Sequence, residues 1–334
     1  MVRKIRRAWK RRAAALAMAA FTMAYMGNVY AIEATTLPEG GTVTAGSASI
    51  STNANTMTIT QNATSSGSQN MALNWTSFSI GSAATVNFNQ LSASAIALNR
   101  VIGNSVSEIY GALNANGIVY LINQNGILFG SNSSVNVGGL VASTKDINIS
   151  DDAFVNGDSY YFTGDSEASV VNNGTITAQK VKDEGGIVAL LANQVENNGT
   201  ITATGGTVAL AAGNNISINY EGDGKINLEV DKSVTDASVL NAGKLSANGG
   251  YVLMTARDAS TVLNTVVNNT GTIEAKSLSQ DELGNIVLDG GTNGVVEMSG
   301  TLNASGSDTV DGGTVTLKGQ YLSIGGTADQ YADY

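Results

Sequence analysis

From residue 170 onward, apolar and polar positions alternate with a period of two. Val170, Asn172, Gly174, Ile176 and Ala178 share one frame, separated mainly by Thr, Asn, Ser and Glu. The frame returns as Val195, Asn197, Gly199, Ile201 and Ala203, then as Val239, Asn241, Gly243, Leu245 and Ala247. Two more copies are Val267, Asn269, Gly271, Ile273, Ala275 and Val296, Met298, Gly300, Leu302, Ala304. Successive side chains of a strand point to opposite faces, so each copy predicts a half-buried strand with one apolar face. A second short strand follows each copy. Its inward sets are Gly186, Val188, Leu190; Gly206, Val208, Leu210; Gly250, Val252, Met254; Gly284, Ile286, Leu288; and Gly313, Val315, Leu317. The Gly that opens each set marks a corner, where the backbone needs positive φ or a close approach to a neighbour.

The glycines of the first motif, Gly174, Gly199, Gly243, Gly271 and Gly300, are 25, 44, 28 and 29 residues apart. A recurring unit of two or three short strands with Gly/Asn turns is a solenoid signature. Neither a Leu-x-x-Leu-x-Leu pattern nor a 3.6-residue period is present, which excludes leucine-rich and helical repeats. The predicted fold is all-β: a right-handed parallel β-helix in which each unit is one coil. The 44-residue interval holds a β-hairpin insertion, with Ile216, Ile218, Tyr220 and Ile226, Leu228, Val230 alternating around Glu221-Gly222-Asp223-Gly224. That hairpin either shields a flank or forms a recognition surface. Residues 32–165 lack the clean repeat but contain strand-like runs at Thr56-Met57-Thr58-Ile59-Thr60, Thr85-Val86-Asn87-Phe88, Ile118-Val119-Tyr120-Leu121-Ile122 and Gly126-Ile127-Leu128-Phe129-Gly130. The exposed end coil of a solenoid invites edge-to-edge pairing, so this part is expected to be an N-terminal cap, with Trp75 and Phe78 plugging the end.

Composition narrows the chemistry. The 334 residues include no Cys and no His, which excludes the usual zinc and haem ligands, a disulfide framework, and Ser-His-Asp or Cys-His catalysis. No cofactor and no metal site are implied. Charge is divided unevenly. Arg3, Lys4, Arg6, Arg7, Lys10, Arg11 and Arg12 precede a 14-residue, mostly apolar run from Ala13 to Met26, and Val29-Tyr30-Ala31 follows. This is the three-part pattern of a secretory signal peptide, with Ala31 at the cleavage position. The apolar run is too short to favour a membrane anchor. Beyond residue 31 there remain 10 basic against 27 acidic residues, a net of −17. That balance argues against a nucleic-acid partner and against direct adhesion to anionic polymers. The organisation read from the chain is a signal peptide (1–31), a secretion domain with the cap (32–165) and repeat coils (166–334).

Several blocks carry a family resemblance. Leu37-Pro38-x-Gly40-Gly41-x-Val43 opens the exported part, followed by Asn74-Trp75-x-x-Phe78-x-Ile80-Gly81 and Ala97-Leu98-Asn99-Arg100-Val101. The most specific run is Gly117 to Gly130, centred on Asn123-Gln124-Asn125-Gly126-Ile127, and it continues from Val135 to Thr144. These blocks, in this order, resemble the two-partner secretion domain of filamentous-haemagglutinin-like and high-molecular-weight adhesin exoproteins. The family hallmark reads Asn-Pro-Asn-Gly-Ile, and Gln124 here replaces its Pro. The resemblance implies export through the periplasm, recognition by periplasmic modules of a dedicated outer-membrane β-barrel transporter, passage in an unfolded state and folding outside as a surface adhesin. A receptor on a host cell or other surface stays open as a further partner. Asn99, Arg100, Asn123, Asn125, Gly126 and Ile127 are the candidate residues for transporter recognition. The competing role for the Asn123–Gly126 run is structural, with Asn side chains capping turns and laddering between coils and Gly126 taking a positive-φ corner.

Parallel β-helices also host polysaccharide lyases and hydrolases, so an enzyme is one alternative. Its candidates are Asp151-Asp152, read as a solvated turn, with Arg100 and Arg257; adjacent acids on a strand point to opposite faces and make a poor pair. Tyr160-Tyr161-Phe162 is expected either as an exposed cluster or packed against the cap. The chain ends without the alternating strands of a membrane barrel or a toxin-like region. The expectation is the N-terminal secretion domain of an exoprotein; a truncated reading frame, the N-terminal part of a longer protein and a small secreted member all stay open, with the delivery portion of a truncated cytolysin or contact-dependent toxin as a further alternative.

Overall fold

Corners, more than strands, shape this chain. In the computed structural model, which describes residues 32–65, 67–179, 185–220, 225–259 and 264–329, each coil has three strands on three faces. A representative coil runs Ser169–Asn172 on the first face, Thr175–Ala178 on the second and Ile187–Ala192 on the third. Each strand pairs in parallel with its counterpart one coil along. The result is the expected parallel β-helix. The segment read as an export signal, with its Ala31 cleavage position, lies outside the described residues, as do 221–224 and 331–334.

One expectation is corrected. The nine-residue frame from Val170 to Ala178 is two strands, not one, broken by a corner at Asn172-Asn173-Gly174. Val170, Asn172, Ile176 and Ala178 still all point inward, with exposures of 2% or less, so the bend preserves the alternation that looked like a continuous strand. The register aligns Val170, Val195, Val239, Val267 and Val296 in one column, and Ile176, Ile201, Leu245, Ile273 and Leu302 in another. These columns fill the interior with branched aliphatic side chains that pack closely between coils.

The corner itself is held by two further columns. Asn172 donates from Nδ2 to Oδ1 of Asn197, Asn197 to Asn241, and Asn241 to Asn269, each at 2.7 Å. All four amides are fully buried. The glycine two positions on stacks beside them. A Cβ on Gly199, Gly243 or Gly271 would lie 2.1 Å from the carbonyl oxygen of the glycine one coil earlier. Close approach, not positive φ, is what demands glycine in this column. Main-chain bonds cross the same corner, for example Gly199 N–H to Asn172 O at 3.0 Å.

Regular coiling begins earlier than the sequence pattern indicates. Thr56–Gln61 already pairs in parallel with Thr85–Asn89, and Met71–Trp75 with Ile96–Val101. Ahead of these coils Thr42–Ala45 and Ala48–Asn53 run antiparallel to their partners, each laid on the edge of a sheet. Trp75 and Phe78 sit in the core just beneath them, edge to face at 5.4 Å, and Gly41 lies so close to the indole that a Cβ there would meet Cζ3 at 2.5 Å. The antiparallel pair is the cap.

The third face is buried on both sides, so strands such as Ile187–Ala192 and Thr207–Ala212 are buried at every position. A four-stranded antiparallel sheet covers its outer surface, built from Asp146–Ile147, Phe162–Thr163, Asn214–Tyr220 and Ile226–Lys232. The hairpin expected at 216–230 supplies two of these strands, and Ile216, Ile218, Ile226 and Leu228 are buried beneath it. Helix α1 (Asp151–Val155), capped by Ser150, completes the cover, so Asp151-Asp152 opens a helix instead of forming a turn. Tyr160 and Phe162 pack with Tyr120 and Phe154 in this second core rather than on the cap, and Tyr161 remains 39% exposed.

Asn197→Ala deletes the middle of the amide column and orphans one donor and one acceptor. It is expected to lower stability by about 3 kcal/mol in guanidinium titration. Gly243→Ala, whose new methyl meets main-chain oxygen that cannot rotate away, is expected to cost about 2 kcal/mol or more in the same measurement.

Candidate functional site

The candidate residues lie on two successive coils. Strand Ile96–Val101 runs along the third face and turns a corner toward Ser107–Ile109; one coil later Ile118–Ile122 turns the same corner through Asn123–Gly126 into Ile127–Phe129. The two sequence blocks therefore stack. Asn123 Nδ2 donates down to Ser105 O at 2.9 Å and to Ser107 Oγ at 3.0 Å, and Asn125 Nδ2 donates to Gly103 O at 2.9 Å. Asn123 Oδ1 accepts from Asn125 N–H at 2.9 Å, a side-chain turn that shapes the loop. Gly126 follows at φ +112°, a conformation that L side chains rarely adopt, and its N–H returns to Asn123 O at 3.1 Å. Ile127 points into the core with no exposure. Gln124 is the exposed tip of the turn, and its carbonyl accepts from Ser166 Oγ at 2.6 Å.

Asn99 and Arg100 are adjacent but point to opposite sides of the sheet. Asn99 faces inward, accepts from Trp75 Nε1 at 3.0 Å and donates to Ala97 O and Tyr120 O. Arg100 faces outward beneath the flap, the antiparallel sheet and helix that cover the third face, 2.7 Å from Asp146 through Nε and 2.7 Å from Asp151 through Nη1. Thr44 of the cap also donates to Asp151. Burial alone would lower the guanidinium's pKa, but hydrogen bonds and charge from the two aspartates outweigh it and raise it. Arg100 thus joins cap, coil and flap. Arg257 pairs with Asp289 at 3.0 Å farther along the same face.

A buried lysine was not among the sequence candidates. Lys145 is 1% exposed, and Nζ donates to Gly164 O at 3.0 Å and Ser166 O at 2.6 Å. Burial lowers its pKa, against the opposing charges of Asp165 and Glu167. It pins the 164–168 loop, whose Ser166 holds the Asn123–Gly126 turn. The only cue in the sequence is its rarity among basic residues after position 31. Among the described residues no cluster of three or more acidic groups is placed to hold a metal ion.

The capped coils and stacked blocks are similar to solved secretion domains. The HMW1 secretion domain from Haemophilus influenzae matches with a TM-score of 0.74 and 28% identity, covering 88% of this chain and 73% of that one. The filamentous hemagglutinin secretion domain shares the fold, with a TM-score of 0.57 at 15% identity over 87% of this chain and 97% of that one. The molecule is of the β-helical secretion-domain class. The chain belongs to the TPS secretion domain family, whose pattern matches residues 34–309. Two heme/hemopexin-binding proteins of Haemophilus influenzae are similar, one 36% identical over 270 residues and one 31% identical over 269. Their alignments cover 79% and 75% of this chain and 28% of each of those proteins. The chain therefore spans little more than a quarter of the length of these relatives.

The tyrosines of the second core give an alkaline signature. Burial pushes the Tyr160 phenol up to about 12, partly offset by its bond with Tyr120, and burial with the charge of Asp289 pushes Tyr251 up to about 12. Burial also raises Tyr120 well above its ordinary value. In the unfolded chain these phenols ionise near pH 10. Their contribution to stability is complete below about pH 10 and is lost as pH climbs toward about 12, at up to about 1.4 kcal/mol per pH unit for each group. Denaturant titrations across this range are expected to show that decline, with a shallower slope for Tyr160→Phe.

Proposed function

We propose that this chain is the secretion domain of an exported β-helical exoprotein, delivered by residues 1–31 and engaged at its N-terminal part, residues 32–165, by a cognate outer-membrane transporter. Membership of the TPS secretion domain family over residues 34–309 carries this reading. The family implies an outer-membrane transporter partner and a route to the cell surface. The finer steps are recognition by periplasmic modules, passage unfolded and folding outside. They are supported by the absence of Cys, which leaves nothing to lock before export, and by coil-to-coil pairing, which lets folding propagate from one end. An extended segment could add to a sheet edge of the transporter before any coil forms.

Within that reading, the corner of Asn123–Gly126 carries two roles at different times. In the folded coil its amides are committed to Ser105, Ser107 and Gly103. In the unfolded chain the same groups are free to engage the transporter. Adhesion to a host cell or other surface, by a receptor of unassigned chemistry, is a further proposal for the protein as a whole. Hemopexin binding is the named property of the longer relatives, and most of their length has no counterpart here.

The test is co-expression with the cognate transporter, reading the chain in medium and periplasm. The expected result is export of the parent chain and several-fold less export for Asn123→Ala combined with Asn125→Ala. Refolding the double variant in vitro separates the two roles: native stability with poor export assigns transporter recognition, whereas parallel loss assigns turn formation. Retention of the parent chain in the periplasm beside a functional transporter would overturn the proposal.

A further inference from the structure

The sequence holds seven Asn-Gly pairs, at 116, 125, 156, 173, 198, 248 and 293. This dipeptide is chemically labile, because a glycine amide meets little steric resistance in attacking the preceding Asn side chain. The fold treats the pairs unequally. Gly117, Gly126, Gly174, Gly249 and Gly294 are buried, and Gly199 is clamped against the Gly174 carbonyl of the neighbouring coil. The side chains of Asn116, Asn125, Asn173, Asn198 and Asn248 are tied by hydrogen bonds, for example Asn248 Oδ1 to Lys276 N–H at 2.9 Å. Asn156-Gly157 differs on every count. Both residues are exposed, Gly157 has φ +86° with nothing within 4 Å of a hypothetical Cβ, and they end a five-residue helix where residues 158–160 have no regular structure.

We propose that Asn156 is a site of spontaneous, structure-selected conversion to aspartate and isoaspartate in the folded protein. The Gly157 amide loses its proton to hydroxide and its nitrogen attacks Asn156 Cγ. The new N–Cγ bond closes a five-membered imide, the Cγ–Nδ2 bond breaks, and ammonia leaves. Water then adds to either imide carbonyl. Opening at one side returns the ordinary backbone with an Asp side chain; opening at the other routes the backbone through Cγ. Each product carries one extra negative charge and is heavier by about one mass unit.

The only main-chain bond that must open is Gly157 N–H to Phe154 O, 3.1 Å long, in the last turn of a short helix, where fraying is inexpensive. At the six other pairs, the exposed Asn293 with Gly294 included, the glycine packs against a neighbouring coil, so the rearrangement to an imide meets atoms that Gly157 does not. The product also acts on its surroundings. A carboxylate at a helix C-terminus opposes the local dipole. The lengthened backbone loosens Val155, whose carbonyl accepts from Ser68 Oγ at 2.5 Å.

The experiment incubates the exported, folded protein in mildly alkaline and mildly acidic buffer. It follows each Asn-Gly peptide by mass and by labelling with an isoaspartyl methyltransferase. Asn156 is expected to convert about ten-fold faster than any other pair, faster in the alkaline buffer, and the preference is expected to vanish in guanidinium, where no coil protects the rest. Asn156→Gln, with unchanged thermal unfolding, is expected to remove the dominant signal. Equal conversion at all seven pairs in the folded protein, or a faster buried pair, would overturn the proposal.

Discussion

Every coil must carry its backbone around corners where main-chain polar groups would otherwise be stranded inside an apolar column. The solution is a corner in which a buried Asn amide bonds to the next coil's amide and a glycine lets the carbonyls stack. Those two contacts decide the rest. The Asn column keeps the aliphatic columns beside it in register, and register in turn seals the interior. A leucine in place of Asn would supply apolar area but leave the turning backbone without partners, and buried polar groups without partners are costly. The column ends at Met298, where thioether replaces amide and the corner is nearer to solvent-exposed coils.

The same logic governs charge. After residue 31 only two arginines remain, and both are fixed by carboxylates on the outer surface of the third face. Arg100 is the more consequential because its two aspartates come from the flap and one of them also receives Thr44 from the cap. One guanidinium, with its rigid fork of donors, links three segments that are distant in sequence. Lys145, next in sequence to Asp146, does the corresponding task for the returning limb of the flap by binding carbonyls instead of acids. Arg100 and Lys145 thus fasten the cover to the coils, whereas Arg257 with Asp289 and Lys244 with Glu274 tie one coil to the next.

The repeat was legible because period-two alternation survives a corner, and the copies from Val170 to Ala304 fall in the observed columns. For the same reason the corner was not legible: Asn172 and Gly174 continue the inward frame, so one bent segment reads as one strand. The burial of the third face on both sides was partly written in Ile187 to Ala192, where every residue is apolar, a pattern of strands covered on both faces. The coils before residue 165 hid because their corners use different residues, such as Asn123 and Gly126, in place of the Asn-x-Gly frame. Of the candidate site, the turn and its positive-φ glycine could be read from residue types. The stacking of Asn125 on Gly103, the three-way junction at Arg100 and the burial of Lys145 depend on which coil lies above which, and no local pattern encodes that.

The separations along the amide column are 25, 44 and 28 residues, yet each contact is 2.7 Å. The scaffold is blind to the length of chain between its corners. Material that leaves and returns within one corner, as the 214–232 hairpin does between Ala212 and Ser238, adds a surface without altering the column that supports it. Variation can therefore work on the exterior of such a protein as on an independent layer, adding or shortening excursions while the interior keeps its fit. The limit on novelty is set by where a loop departs and returns, not by how far it travels.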